Sequence, residues 1–168
     1  MKDFFAIEPG KLNENVFDLL GNGWMLVTAG TISAFNTMTA SWGGMGVLWN
    51  KNVCYIVIRP QRHTYTFLEK SQYFTLSFFH EKYREVLKFC GARSGRDVDK
   101  MKETGITPVQ TANGSVCFSE ARIVIECKKV YYQDIDPKNF IDESIGKNYP
   151  DRDYHRMYIG EIVSMMIK

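Results

Sequence analysis

Two polar stretches of the sequence have the side chains needed to bind an anionic, hydrogen-bonding ligand. The first, Asn36–Trp42, is built mostly from small, hydroxyl-bearing and amide side chains and ends in an indole. A buried strand normally carries β-branched bulk on its inward face, so this composition favours contact with a ligand. The second, Arg59–Thr66, holds two arginines and two threonines where a helix is predicted to begin. Free N–H groups and the helix dipole attract anions there, which predicts a flat ligand that carries a phosphate.

Strands and short helices are predicted to position these two stretches. The apolar run Val53–Ile58 leads straight into the arginines and is predicted to be a strand buried on both faces. Tyr73–Phe79 alternates like a half-buried strand. Further strands are predicted at Trp24–Ala29, in Ser115–Tyr132 and in Tyr154–Met166 (a pair or one long bent strand), with helices at Gln61–Lys70, Glu81–Cys90 and around Val98–Glu103. Many strands with turn signals and only short helices indicate an antiparallel barrel.

Glycines mark the predicted turns. Gly43–Gly46 lacks the spacing and the lysine of a phosphate-binding loop, and it predicts a bend or bulge that lets the backbone approach a ligand. Asn22-Gly23 predicts a hairpin or a tight entry into the first barrel strand. Gly91 predicts the end of the helix that precedes it.

Composition limits the classes of function. The net charge of +2 over 168 residues is too small to indicate nucleic-acid or membrane binding through bulk electrostatics. Four cysteines without CxxC spacing are expected to be reduced thiols that pack as small hydrophobic groups, and the three histidines have no metal-site spacing. Because no signal peptide or span-length apolar run is visible, we expect a cytoplasmic protein.

Four segments of the chain resemble the motifs of one family, in the same order. They are Asn36–Trp42, Arg59–Thr64, Ser94–Lys100 and His155–Ile162. On these segments the chain resembles the flavin reductase-like family of FMN-binding split barrels, which includes flavoredoxins. The resemblance implies a mainly β fold, an antiparallel split β-barrel of Greek-key type with a few short helices. It also implies a single domain over residues 1–168.

The resemblance implies that the first segment contacts FMN. Asn36 would hydrogen-bond the edge of the isoalloxazine ring; the alternative is a turn amide that satisfies the backbone. Trp42 would cover one face of the ring, and the alternative is a place in the core or in a dimer interface. The intervening residues would offer small side chains, hydroxyls and backbone N–H groups to the ring and ribityl chain, with ordinary strand packing as the alternative: Thr37, Met38, Thr39, Ala40 and Ser41.

The second segment predicts a phosphate-binding site. Arg62 and Thr64 match the family's Arg-x-Thr and are placed ahead of Arg59, because a guanidinium supplies charge with a fork of donors and a threonine adds a hydroxyl. The alternative is a solvated helix start with Arg62 on the surface. Lys100 aligns with a family lysine near the cofactor; the alternative is a solvated lysine in a charge-rich loop. Arg93 and Arg96 are weaker candidates than these cations.

His155 resembles the family's histidine near the flavin or the incoming nicotinamide, although a lone histidine is more often structural. The implied reaction is hydride transfer from NADH or NADPH to FMN, for which the flavin supplies the redox chemistry. Reduced FMN would serve a flavin-dependent monooxygenase or another redox partner protein, and the family's fold implies a homodimer with each flavin near the subunit interface. The alternatives are a flavoredoxin-like electron carrier that retains FMN, and a non-catalytic flavin-binding module.

Overall fold

Strands dominate the fold, which comes from a computed structural model that describes residues 3–168. The first two residues of the predicted domain lie outside this range. The strands in the described part of the chain are β1 Phe5–Ala6, β2 Met25–Thr31, β3 Ala34–Ala40, β4 Gly43–Leu48, β5 Lys51–Ile58, β6 Tyr73–Phe78, β7 Pro108–Gln110, β8 Val116–Phe118, β9 Ile123–Asp134 and β10 Arg156–Ile167. The α-helices in the same range are α1 Val16–Asp18, α2 His63–Lys70, α3 Arg84–Ala92 and α4 Lys100–Thr104.

The main sheet must curl, because its two edges are joined by a very short connection. Its order is β3-β2-β6-β9-β10-β5-β4, with β1 on β10, and every pair is antiparallel. In a flat sheet the edges β3 and β4 would lie roughly 29 Å apart. Only Ser41 and Trp42 connect them, and three Cα–Cα steps span about 11 Å at most.

The curled sheet is open at the seam between β3 and β4. No ladder joins these two strands within residues 3–168. The predicted fold class, a mainly β antiparallel split barrel with a few short helices, is therefore confirmed. The seam brings Ser41 and Trp42 beside the ends of β5 and β10, which pair from Arg156 opposite Ile58 onward.

The core has two parts, one inside the barrel and one outside it. Met25, Val27, Ile56, Phe74 and Tyr158 belong to the interior cluster and are fully buried. The outer cluster lies under α3, α4 and the separate β7–β8 hairpin, and it includes Leu26, Leu87, Ile106, Phe118 and Val124. No helix within residues 3–168 is long and apolar enough to cross a membrane.

Two predictions of strand burial were wrong, in opposite directions. The strand predicted at Tyr73–Phe79 is buried on both faces, because the β7–β8 hairpin covers its outer side and the carbonyl of Val116 accepts a hydrogen bond from Thr75. The strand predicted to be buried on both faces, Val53–Ile58, has one partly uncovered face. Tyr55 on that face is 42% exposed.

The predicted strands and helices near residues 100 and 156 are confirmed with small shifts. The helix predicted around Val98–Glu103 is α4, which begins after Asp99 caps the N–H groups of Met101 and Lys102. Of the two possibilities left open for Tyr154–Met166, one long strand is observed, with two register shifts that bend it.

The three turns predicted at glycines have different outcomes. Gly43–Gly46 forms part of β4 rather than a bend, and a side chain at Gly44 would meet the Tyr55 ring at 2.3 Å. Of the two possibilities left open for Asn22-Gly23, a tight entry into the first barrel strand is observed, since the π-helical turn Leu19–Gly23 ends just before β2 begins at Met25. The helix predicted to stop at Gly91 continues to Ala92, since Gly91 lets α3 pack closely against Thr39 of β3.

Candidate flavin site

Two adjoining cavities lie along the seam of the barrel. The polar cavity, about 400 Å³, is lined by Asn36, Met38, Arg59, Gln61–Thr64, Cys90, Ala92–Arg96 and Lys100. The rim cavity, about 290 Å³, is lined by Met38–Trp42, Val57, Arg59, Arg62 and His155. Because Met38, Arg59 and Arg62 border both, the two cavities form one cleft with a cationic end and an aromatic end.

All predicted site residues except Thr37 line one of these two cavities. Thr37 is buried, and its hydroxyl lies 2.8 Å from that of Thr28 inside the barrel wall. Thr39 lines the rim cavity, but its hydroxyl donates to the carbonyl of Leu87 in α3. These two hydroxyls therefore hold β3 in place, which leaves backbone groups and small side chains as the ligand-facing parts of this stretch.

Asn36 and Thr64 form a buried pair at the floor of the polar cavity. The amide Nδ2 of Asn36 donates to Thr64 Oγ1 at 2.7 Å, and Thr64 is 0% exposed at the first turn of α2. Because this hydroxyl already accepts from the amide, its own proton is directed to another acceptor. The pair thus presents a donor to an anion in the cavity. The structure places Asn36 with the cationic end of the cleft rather than with the rim.

The two predicted arginines differ in how their charges are balanced. Arg59 forms an ion pair with Asp153, and its Nη2 donates to the carbonyl of Asn148 at 2.8 Å. Arg62 donates to the carbonyl of Gly91 at 3.0 Å and has no carboxylate partner in residues 3–168. Arg62 therefore keeps a full positive charge available at the junction of the two cavities, whereas the charge of Arg59 is largely neutralised.

Lys100 is buried, so the solvated alternative does not hold. Its ammonium group donates to the carbonyls of Thr37 and Cys90, each at 2.7 Å, and the residue is 5% exposed. Burial lowers its pKa, and the nearby charge of Arg62 lowers it further. Two of its three N–H groups tie β3 to α3, and the third remains for a ligand in the polar cavity.

The loop Arg93–Arg96 and His63 complete the polar cavity. A Cβ on Gly95 would lie 1.9 Å from Oδ1 of Asn36, so this position requires glycine. The Nδ1 atom of His63 is buried and has no hydrogen-bond partner among residues 3–168. Burial lowers the pKa of His63, as do Arg96 and Lys100, so it is neutral at pH 7.

Sequence reasoning gave little or no weight to these residues. Arg93 and Arg96 were ranked below the other cations, and His63 and Gln61 were not assigned to the site. The useful signals were the position of His63 in the first turn of a helix and the Ser94-Gly95-Arg96 segment. Neither indicates which side chains of a distant loop reach the cavity.

Aromatic side chains lie next to His155 at the rim cavity. Its Nδ1 lies 2.9 Å from the hydroxyl of Tyr149, and its ring centroid is 5.2 Å from that of Trp42. Burial lowers the pKa of His155 from 6.5 to about 4, with the charge of Arg59 acting in the same direction. The imidazole is therefore neutral at pH 7. Trp42 is 47% exposed, so its indole forms a wall of the cleft rather than part of the core.

The chain is thus a split barrel with a cationic, hydroxyl-lined cleft at its seam. A family profile described as "Flavin reductase like domain" matches residues 17–168. The chain belongs to the flavin reductase-like, FMN-binding family, as its sequence motifs predicted. No curated protein sequence is significantly similar to it.

Solved structures share this fold at low sequence identity. The FMN-binding domain of a flavin reductases-like enzyme from Shewanella baltica OS155 aligns with a TM-score of 0.71 and 20% identity, over 98% of this chain and 77% of that one. Flavoredoxin of Desulfovibrio vulgaris (Miyazaki F) aligns at 0.68 and 20%, with the same coverage of 98% and 77%. An NADH:FAD oxidoreductase from Streptomyces globisporus C-1027 aligns at 0.67 and 16%, over 87% and 75%.

Proposed function

We propose that this protein is an FMN-binding oxidoreductase, an NAD(P)H-dependent flavin reductase that transfers hydride from NADH or NADPH to the flavin. One observation carries the proposal. Arg62, Lys100 and the hydroxyl of Thr64 converge on one polar cavity, directly beside a cavity walled by Trp42 and His155, and among the described residues neither cation has a carboxylate partner. A cationic end that adjoins an aromatic end matches a ligand with a phosphate at one end and a ring system at the other.

The residues present fit FMN. Arg62, Lys100 and Thr64 would hold the phosphate, and the unpartnered Nδ1 of His63 offers one more polar contact in the same cavity. Backbone groups and small side chains of Met38–Ser41 would border the ring at the rim. When bound, the flavin supplies the redox chemistry by accepting a hydride from a nicotinamide.

His155 would orient ring systems rather than transfer charge. Because burial keeps the imidazole neutral at pH 7, it offers a hydrogen bond without repelling or attracting a charged cofactor. Tyr149 holds its Nδ1, which leaves Nε2 as the atom available to the flavin or to the incoming nicotinamide. Trp42 restricts water at the same wall of the cleft.

The purified protein provides a direct test. We expect a flavin absorbance spectrum after reconstitution with FMN, and anaerobic addition of NADH or NADPH should bleach it. Steady-state oxidation of the nicotinamide with added free FMN would distinguish a reductase from an electron carrier. Tight FMN binding without nicotinamide turnover would refute the reductase and support a flavoredoxin-like carrier. A bound flavin that no physiological donor reduces would indicate a non-catalytic module.

We also propose a homodimer, with reduced flavin or electrons passing to a flavin-dependent monooxygenase or another redox partner protein. The outward face of β5 and β10 supports the dimer, because Tyr55, Ile159 and Tyr131 are paired in one cross-strand row. Tyr55 and Tyr131 are 42% and 40% exposed, and Val57 on the same face lines the rim cavity. A second copy packed there would cover apolar surface beside the cleft.

Light scattering after size-exclusion chromatography tests the dimer. We expect the wild-type chain at twice its monomer mass and Tyr55→Glu at the monomer mass, because a charge on this face disfavours its burial. Phe17→Glu is a matched control, since Phe17 is 90% exposed on α1. A monomeric wild type would refute the dimer.

A further inference from the structure

The segment of chain just before His155 is held against the cleft by Arg59. The guanidinium of Arg59 forms an ion pair with Asp153 and donates to the carbonyl of Asn148 at 2.8 Å. It also lies over the ring of Tyr149, 5.3 Å from the ring centroid. The charge and the donors of Arg59 are therefore directed to this segment, although the side chain borders both cavities of the cleft.

Tyr149 is fixed at both its ring and its hydroxyl. The buried ring stacks on Phe140 with centroids 6.0 Å apart, and it lies 5.0 Å from the ring of Tyr154. Its hydroxyl lies 2.9 Å from Nδ1 of His155. The backbone of His155 is held in turn, because its carbonyl accepts from the N–H of Ile135 at 2.9 Å. Neither end of the Tyr149–His155 bond is free to move, so the bond can set the state of the imidazole.

The direction of this hydrogen bond follows from what else the hydroxyl can reach. Among residues 3–168, Nδ1 of His155 is the one hydrogen-bond partner of the Tyr149 hydroxyl. If Nδ1 donated, the hydroxyl proton would have no acceptor among these residues, and an unpaired donor on a buried side chain is costly. If the hydroxyl donates, both groups are satisfied, and the proton of the imidazole lies on Nε2.

The electrostatics of the two side chains agree with this direction. Burial raises the pKa of Tyr149, so the hydroxyl keeps its proton at pH 7. Burial lowers the pKa of His155 to about 4, so the imidazole carries a single N–H. That N–H is then on the nitrogen that Tyr149 does not contact, in a side chain that lines the rim cavity.

We propose that Tyr149 is a positioning residue that holds His155 in the tautomer with the proton on Nε2, and that Arg59 and Asp153 hold Tyr149 in place. His155 then offers an N–H donor to the rim cavity, which favours a carbonyl oxygen on the ring system bound there. This inference rests on the proposed function, in which a flavin ring borders that cavity. The carbonyl has two sources, the flavin ring and the carboxamide of the nicotinamide.

NMR of the full, flavin-free chain labelled with ¹⁵N-histidine tests the tautomer without requiring any activity. The chemical shifts of the two ring nitrogens show which one carries the proton, and the signal lost in His155→Gln identifies His155. We expect the proton on Nε2 in wild type. Tyr149→Phe keeps the ring and loses the hydroxyl. It should shift the tautomer ratio towards Nδ1–H by roughly 2- to 12-fold, which corresponds to the loss of one ordinary hydrogen bond.

Two pairs of variants separate a positioning role from simple packing. Tyr154→Phe removes a hydroxyl from the same aromatic group and should leave the tautomer unchanged, because the bond to Nδ1 belongs to Tyr149. Asp153→Asn loses the negative charge of the ion pair and should shift the ratio in the same direction as Tyr149→Phe, whereas the exposed Asp151→Asn should not. A proton on Nδ1 in wild type, or a ratio that Tyr149→Phe leaves unchanged, would overturn the proposal. An unchanged ratio in Asp153→Asn would overturn the part assigned to the ion pair.

Titration of the labelled protein distinguishes the two carbonyls. If the flavin supplies the acceptor, FMN should move the Nε2 signal of His155 in wild type and move it less in Tyr149→Phe. If the nicotinamide supplies it, FMN leaves the signal in place, and NAD⁺ or NADP⁺ added to the FMN-loaded protein moves it. A signal that neither ligand moves, in protein that binds FMN, would overturn the donor role. Failure of FMN to bind would overturn the proposed function, while the tautomer in the ligand-free chain still decides the role of Tyr149.

Discussion

Substitution of the proposed phosphate-binding residues, Arg62 and Thr64, is the most direct test of the site. In the double variant Arg62→Ala, Thr64→Val the cavity loses one guanidinium and one hydroxyl. A charge-assisted hydrogen bond contributes about 1.5–3 kcal/mol, and an ordinary one about 0.5–1.5 kcal/mol. The two together should weaken FMN binding by roughly 2–4 kcal/mol, which is roughly a 30- to 900-fold increase in Kd.

The structure also predicts how each substitution acts on folding. Arg62 is exposed and has one hydrogen bond to Gly91, so its removal should leave the free energy of unfolding nearly unchanged. Thr64→Val removes the acceptor of the buried Asn36 amide, which should cost about 1–3 kcal/mol of stability. Urea denaturation of each single variant separates this loss from the loss of binding.

Quenching of FMN fluorescence during titration is the assay. Lys70→Ala is the matched control, because it removes an exposed positive charge from the far end of the same helix, α2. Added salt should weaken binding more in wild type than in the double variant, since the variant has lost the Coulombic attraction of Arg62 and keeps that of Lys100. Unchanged affinity in a folded double variant would refute the proposed grip.

Three further predictions concern other residues of the cleft. Gly95→Ala should weaken FMN binding about tenfold or more in fluorescence titration, since its Cβ would lie 1.9 Å from Asn36 and the loop must move; Gly10→Ala, in open space, is the control. Lys100→Met should lower the free energy of unfolding in urea by roughly 2–4 kcal/mol, because two buried carbonyls lose their donor; an unchanged midpoint would contradict this. Stability should fall as pH drops from 6.5 towards 4, by about 3 kcal/mol at most, because His155 is neutral when folded and binds a proton when unfolded. His155→Gln should reduce this pH dependence in urea denaturation, and an identical dependence would refute the assignment.

The sequence predicted which residues line the site better than it predicted the contacts these residues make. The stretches Asn36–Trp42 and Arg59–Thr66 were predicted to form the site from side-chain chemistry and family motifs, because both signals are local. The ion pair of Arg59 with Asp153 joins residues 94 positions apart, and no local pattern indicates it. The same limit applies to Lys100, which was predicted near the cofactor but whose burial by the carbonyls of Thr37 in β3 and Cys90 in α3 no local pattern indicates.

Strand burial could not be predicted because it depends on which elements cover each face. An alternating strand such as β6 becomes fully buried once the β7–β8 hairpin packs over it, and that hairpin lies some 30 residues further along the chain. The apolar strand β5 instead keeps a partly open face, on which Tyr55 is 42% exposed. The spacing of apolar residues along a strand indicates which of its own side chains are apolar. It does not indicate which other elements pack on each face of the strand.

The seam links these observations into one physical account of the cleft. Only Ser41 and Trp42 join the two edges of the sheet, so the chain must bend there. The residues beside this bend must be small enough to let β3 approach α3 and β5. The same small residues leave room for a ligand, while the hydroxyls of Thr37 and Thr39 hydrogen-bond to Thr28 of β2 and to the Leu87 carbonyl of α3. The small and hydroxyl-bearing side chains of Asn36–Trp42 therefore have two roles. They allow the barrel to close, and they line the cleft that forms where it closes.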